Sequence, residues 1–113
     1  MDKDYVTIKV SRNTYRKFFI TDILYFKANG SYTTIKTFSN ECTLSDCLKE
    51  FECLLTRNNF LKINRSYIVN TDNCIEVKVG KKSTIRIING EVLFPCKESA
   101  EIILGFFCKQ RLN

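Results

Sequence analysis

Phe60-Leu61-Lys62-Ile63-Asn64-Arg65-Ser66-Tyr67-Ile68-Val69-Asn70 is the stretch on which the reading of this chain turns. Two short apolar runs, Phe60-Leu61-Lys62-Ile63 and Tyr67-Ile68-Val69, flank the polar knot Asn64-Arg65-Ser66. Phe, Tyr, Ile and Val suit a pleated, half-buried surface, so both runs read as strands. The knot carries a fixed positive charge, a hydroxyl and a carboxamide. Held on a rigid scaffold and turned to water, that set can grip hydrogen-bond acceptors such as phosphates and base edges. On composition alone, a polar hairpin turn with a solvated arginine is the better account.

Upstream of this stretch the period changes. Leu44, Cys47, Leu48, Phe51, Leu54 and Leu55 recur at helical spacing, with Asp46, Lys49, Glu50 and Glu52 on the other side. This predicts a sheet-packing helix over 43–56, started by a Thr43/Asp46 capping box and ended by Arg57-Asn58-Asn59. Before it, Val6, Ile8 and Val10 alternate, Ser11-Arg12-Asn13-Thr14 marks a turn, and Tyr15 to Ile20 completes an opening hairpin. Asp22 to Lys27 reads as a strand, and Asn29-Gly30 is a tight-turn signal. Ser31 to Phe38 is rich in threonine, so part of that strand is expected to face solvent or a ligand.

Downstream, Asp72-Asn73 marks a turn and Cys74 to Val79 alternates, which predicts Ile75, Val77 and Val79 inward. Gly80-Lys81-Lys82-Ser83 reads as a solvated hairpin loop and Thr84 to Ile88 as the return strand. Asn89-Gly90 then leads into Val92-Leu93-Phe94, and Pro95 ends the ladder because it has no N–H to donate. From Cys96 a second helix is predicted to about Lys109, with Ala100, Ile103, Leu104, Phe107 and Cys108 on one face. Strands joined by short hairpins imply antiparallel pairing in a mostly β fold, one domain over residues 1–113.

Bulk properties narrow the function. A chain of 113 residues with 44% hydrophobic and 27% charged residues has the composition of a globular domain. Its net charge of +6 suits a nucleic-acid or acidic partner. No apolar run approaches the ~20 residues of a membrane span. Met1-Asp2-Lys3-Asp4-Tyr5 lacks the apolar core of an export signal, so a cytoplasmic location without a membrane is expected. The absence of histidine excludes Ser-His-Asp, Cys-His and His-dependent metalloprotease chemistry, and the isolated glycines form no phosphate-binding motif. Cys42, Cys47, Cys53, Cys74, Cys96 and Cys108 contain no C-x-x-C pair, and are expected to be buried free thiols, not metal ligands or disulfides. Neither an enzyme nor a cofactor is expected.

Three stretches in order resemble one family, the LytTR DNA-binding domain. They are Asp22-Ile23-Leu24-Tyr25-Phe26-Lys27-Ala28-Asn29-Gly30-Ser31-Tyr32, then Phe60 to Asn70, then Asn89-Gly90 with the apolar run, Pro95 and Cys96-Lys97. The resemblance implies an elongated arrangement of small antiparallel sheets with one internal helix and a C-terminal helix. It implies the output domain of a bacterial transcriptional regulator, usually behind a receiver domain of a two-component system. Such domains bind double-stranded DNA as tandem or dimeric copies on repeated sites, read major grooves through loops and bend the duplex.

Carried over by position, the loop of Tyr32, the knot at Arg65 and Lys97 at the last helix are the base-contact candidates. Lys62, Asn64 and Ser66 are the candidates for backbone contact. Arg65 offers a planar fork to guanine O6 and N7, and Lys97 a point charge. The family often has histidine at Asn64, and serine then arginine at Cys96-Lys97, so this chain gives up a titratable ring and a bidentate fork. The alternative is a small β module that binds a protein, a peptide or single-stranded RNA through Tyr32 to Thr37. The DNA reading requires the Tyr32 loop, Arg65 and Lys97 to share one face.

Overall fold

The run Ile23-Leu24-Tyr25-Phe26 has no polar alternation, and all of it is buried. A strand reads this way when neither of its alternating sets of side chains meets water. In the computed structural model, which describes residues 5–56, 60–109 and 111–113, this run is the middle of the largest sheet. In chain order the strands are β1 Tyr5–Ser11, β2 Thr14–Phe19, β3 Ile23–Asn29, β4 Tyr32–Thr37 and β5 Glu41–Leu44. They continue as β6 Phe60–Asn64, β7 Tyr67–Asn70, β8 Cys74–Lys78, β9 Thr84–Ile87 and β10 Val92–Leu93. A 3-10 helix spans Leu48–Thr56, and α1 spans Lys97–Cys108.

The five-stranded sheet has the order β5-β4-β3-β7-β6, and the other sheets are the β1-β2 hairpin and the three-stranded β10-β9-β8. Every pairing among the described residues is antiparallel; short connections account for the sequential pairs, while β3 and β7 pair across a longer excursion. The central sheet feeds a core on each face. Phe26, Ile35, Phe60 and Ile68 meet Ile8 and Phe18 of the hairpin and Leu48 and Phe51 of the 3-10 helix. Leu24, Tyr25, Ile63 and Val69 meet Cys74, Ile85, Ile87, Leu93 and Ile103 from the other side. Phe51 stacks on Phe26 at 5.2 Å between ring centroids, which fixes the 3-10 helix to the sheet. The extents of 50 × 37 × 25 Å are those of an elongated body.

Several local expectations change. The internal helix begins at Leu48, not Thr43: Cys42, Thr43 and Leu44 pair with Ile35, Thr34 and Thr33, so the β ladder takes residues whose spacing also fits a helix. It is a 3-10 helix, and its expected end at Arg57-Asn58-Asn59 lies outside the described residues, as do Met1 to Asp4. Thr33 and Thr34 are buried, with Thr33 Oγ1 donating to the Asp46 carbonyl at 2.8 Å, so that part of β4 is not an open binding face. A bulge between Cys74 and Glu76 reverses the parity of β8; Cys74 turns inward and Ile75 is 54% exposed. None of the six cysteines is in a disulfide and only Cys74 is buried; Cys47, Cys53, Cys96 and Cys108 are exposed. In α1 the buried face is Ser99, Ala100 and Ile103, with Leu104 and Cys108 outside it. Among the described residues no helix is long and apolar enough to cross a membrane.

Candidate nucleic-acid interface

The knot is built around the Asn64 side chain. Its Oδ1 accepts from the Ser66 N–H at 2.8 Å, an Asx turn that folds the chain back between β6 and β7. Its Nδ2 donates to the Phe94 carbonyl at 2.9 Å. On the other flank the Ser66 carbonyl accepts from the Ala28 N–H at 2.7 Å. The knot is thereby tied to β3 on one side and to the segment entering α1 on the other. A register shift between Lys62 and Asn64 accompanies the turn, and Arg65 is exposed at its tip.

Strand register brings the next loop to the same end. Lys27 pairs with Tyr67 and Asn29 with Tyr32, so the β3–β4 and β6–β7 turns leave the central sheet side by side. The turn residues are Gly30 and Ser31, one position later than the Asn29-Gly30 signal suggests, and Gly30 takes the positive φ of 63° that the turn needs. Tyr32 follows it and is 52% exposed.

The third element is docked by its backbone. The Cys96 N–H donates to the Ile63 carbonyl at 2.7 Å, and Ser99 Oγ donates to the Lys62 carbonyl at 3.0 Å. Ser99 is buried, and Cys96 Sγ lies 3.2 Å from its Oγ. These bonds hold the first turn of α1 against β6 beside the knot, with Lys97 exposed. The Tyr32 turn, Arg65 and Lys97 thus meet at one end of the central sheet.

The backbone-contact candidates divide. Ser66 is half-buried in the turn. Asn64 has both ends of its carboxamide committed to holding the knot. Lys62 Nζ forms a 2.8 Å ion pair with Glu52 Oε2 across the β6–3-10 helix contact. By contrast, Arg65 and Lys97 take no part in the ion pairs of the described residues, which are Lys36–Glu41, Lys62–Glu52 and Arg86–Glu76. Sequence reasoning gave no role to Lys27, an exposed cation whose Nζ lies 5.8 Å from the Tyr67 ring centroid. Its signal was a single charge within an otherwise apolar strand, one turn-length from Gly30.

Behind the knot, Tyr67 packs edge-on against Tyr25 at 5.3 Å. The Tyr25 hydroxyl donates to both Glu91 carboxylate oxygens at 3.1 and 3.0 Å. Burial first, then the hydrogen bond and charge of Glu91, push the Tyr25 phenol well above its usual range, so it remains a donor. Glu91 is held further by Asn89 Nδ2 at 2.6 Å. This buttress fixes the scaffold behind the cations without neutralising them.

Comparisons with known proteins follow the same lines. The pattern of the LytTr DNA-binding domain matches residues 13–99. The sensory transduction protein LytT of Bacillus subtilis (strain 168) is 33% identical over 67 residues, which is 59% of this chain and 28% of that protein. The chain therefore spans only that part of the relative's length. A solved LytTr DNA-binding domain of a response regulator from Bacillus cereus superposes with a TM-score of 0.70 at 24% identity, covering 93% of this chain and 100% of that one. The fold is the same, and the chain belongs to the LytTr DNA-binding domain family.

Proposed function

We propose that the chain is the sequence-specific, double-stranded DNA-binding output domain of a bacterial transcriptional regulator, reading major grooves through its loops and bending the duplex. The observation that carries this reading is the convergence of the Tyr32 turn, Arg65 and Lys97 at one end of the central sheet, held there by strand pairing and by hydrogen bonds from Cys96 N–H and Ser99 Oγ to the β6 backbone. Arg65 donates to guanine O6 and N7, Lys97 to a base edge or phosphate, and the Tyr32 hydroxyl or ring meets a base or sugar. Ser66 holds a phosphate, and Lys62 joins it by exchanging Glu52 for one. Asn64 acts by positioning Arg65. The work is recognition: none of these groups needs to move a proton. An upstream receiver domain and tandem binding on repeated sites belong to the same reading.

Selection of bound duplexes from a random pool tests it. A shared sequence is expected to emerge, with affinity falling steeply between about 50 and 200 mM salt as neutralised phosphates release counterions. A pool without enrichment, or stronger retention of single strands, would overturn the proposal.

A further inference from the structure

Between β8 and β9, residues 79–83 form a loop outside the three just described. We propose that Lys81 and Lys82 of this loop form a phosphate clamp with Lys97, extending the DNA contact beyond those three loops. The inference rests on the DNA reading above and adds to it.

The loop is closed, not tethered loosely. The Gly80 N–H donates to Ser83 Oγ at 3.4 Å, the Ser83 hydroxyl reaches the Gly80 carbonyl at 3.5 Å, and Ser83 is buried. Lys78 and Thr84 pair directly beneath it. The loop faces the entry to α1 across an open cleft of about 440 Å³ lined by Val79, Gly80, Lys81, Ser83, Pro95 and Lys97. The lining contains two lysines and no carboxylate. Glu98 follows Lys97 in sequence but forms no ion pair with it, and neither Lys81 nor Lys82 is ion-paired among the described residues.

Lys82 is placed by a different contact. Its Nζ lies over the Phe94 ring, 5.3 Å from the centroid, and that ring is 53% exposed. A cation over a ring face is attracted by the ring quadrupole. The Phe94 carbonyl accepts from Asn64 Nδ2, so the platform under Lys82 is part of the framework that supports Arg65. Gathering ammonium groups without a carboxylate leaves mutual repulsion that a polyanion relieves. An ammonium group is a point charge without arginine's planar fork, so Lys81 and Lys82 are suited to phosphate, and Lys97 can share it.

The test uses duplexes enriched by the wild-type chain and compares it with a Lys81→Gln/Lys82→Gln double variant. The slope of log affinity against log salt should become shallower by about 1–2, because each lost phosphate contact removes roughly 0.9. Affinity at low salt should fall several-fold, while a repeated selection returns the same sequence. Phe94→Leu, which removes the ring under Lys82, should reproduce part of the loss. Lys109→Gln/Arg111→Gln carries the same charge change at the far end of α1 and should leave the slope alone. Thermal melting confirms that each variant is folded. A double variant with the wild-type slope overturns the clamp and leaves DNA binding standing. An equal loss in the Lys109/Arg111 variant also overturns it, since bulk charge then explains the effect. A wild-type chain without salt-dependent duplex binding overturns both readings.

Discussion

Asn64 and Arg65 are neighbours with opposite duties. The Asn64 carboxamide is spent inside the fold, on Ser66 and Phe94, while the Arg65 guanidinium stands free at the turn tip. Arg65→Ala should therefore cost about 1–3 kcal/mol of DNA affinity and flatten preference at one base pair, with the melting temperature unchanged. Asn64→Ala should act first on the fold, and on affinity only through the Arg65 turn that Asn64 positions. It orphans a donor and an acceptor, costs about 1–2 kcal/mol of stability, and keeps the selected sequence. Melting curves beside repeated selections separate the two. Another residue-scale effect concerns pH. Burial, and to a lesser degree Asp72, push the Cys74 thiol from 9.0 up to about 11. The folded state prefers the neutral thiol, so its contribution is whole below pH 9 and is lost as pH rises through about 11. Denaturant titrations should show stability falling over that window, with Cys74 supplying about 2–3 kcal/mol of the loss. Cys74→Val should shrink the fall, while the Tyr25 phenol, raised in the same sense, leaves a residual one at higher pH. An identical pH profile in Cys74→Val would refute the assignment.

The element that sets Lys97 is α1, and its anchor is Ser99. The hydroxyl is buried and donates to the Lys62 carbonyl, so Ser99→Ala should cost about 1–2 kcal/mol of stability and loosen the first turn. DNA affinity should drop although Ser99 faces the protein interior, and Ser99→Thr, which keeps a hydroxyl, should recover part of it. Unchanged affinity in a destabilised Ser99→Ala would mean that Lys97 needs no such support. Nothing in the sequence marked Ser99, because its partner lies 37 residues away on another strand. Asn70 closes the deciding stretch, yet its role was equally hidden: its Nδ2 reaches the distant Ile20 and Ile23 carbonyls at 2.9 and 3.1 Å inside the core. Alternation and turn residues did reveal the strands and their antiparallel order, since those signals are local. Tyr32, Arg65 and Lys97 came as a set from the family resemblance alone. Ladder ends and bulges were not legible. Thr43 suits a helix cap as well as a strand, and only pairing with Thr34 decides it; Cys74 and Ile75 exchange faces through one extra residue.

At the scale of the whole molecule, an elongated body carries exposed Arg65 and Lys97 at one end of the central sheet while the hairpin and 3-10 helix cover another face. The extents of 50 × 37 × 25 Å are comparable with a helical turn of DNA, about 34–36 Å. One copy can therefore engage about one turn, and a second copy bound on the same side must be offset by a whole number of turns. Tandem binding to repeated sites then predicts a periodic dependence on spacing. Duplexes with two copies of the selected site should bind two chains most tightly at centre-to-centre spacings near 10–10.5 bp or twice that. Half-turn offsets should weaken the second binding event, because they put the copies on opposite sides of the duplex. End-to-end energy transfer on the same duplexes should report a bend that grows when the second copy binds in phase. Lys81→Gln/Lys82→Gln should lower affinity at every spacing without shifting the period, since these phosphate contacts carry no sequence information and act within one copy, while the helical repeat sets the spacing between copies. A spacing series with equal affinity throughout would mean that copies bind independently, and the tandem arrangement would have to be abandoned.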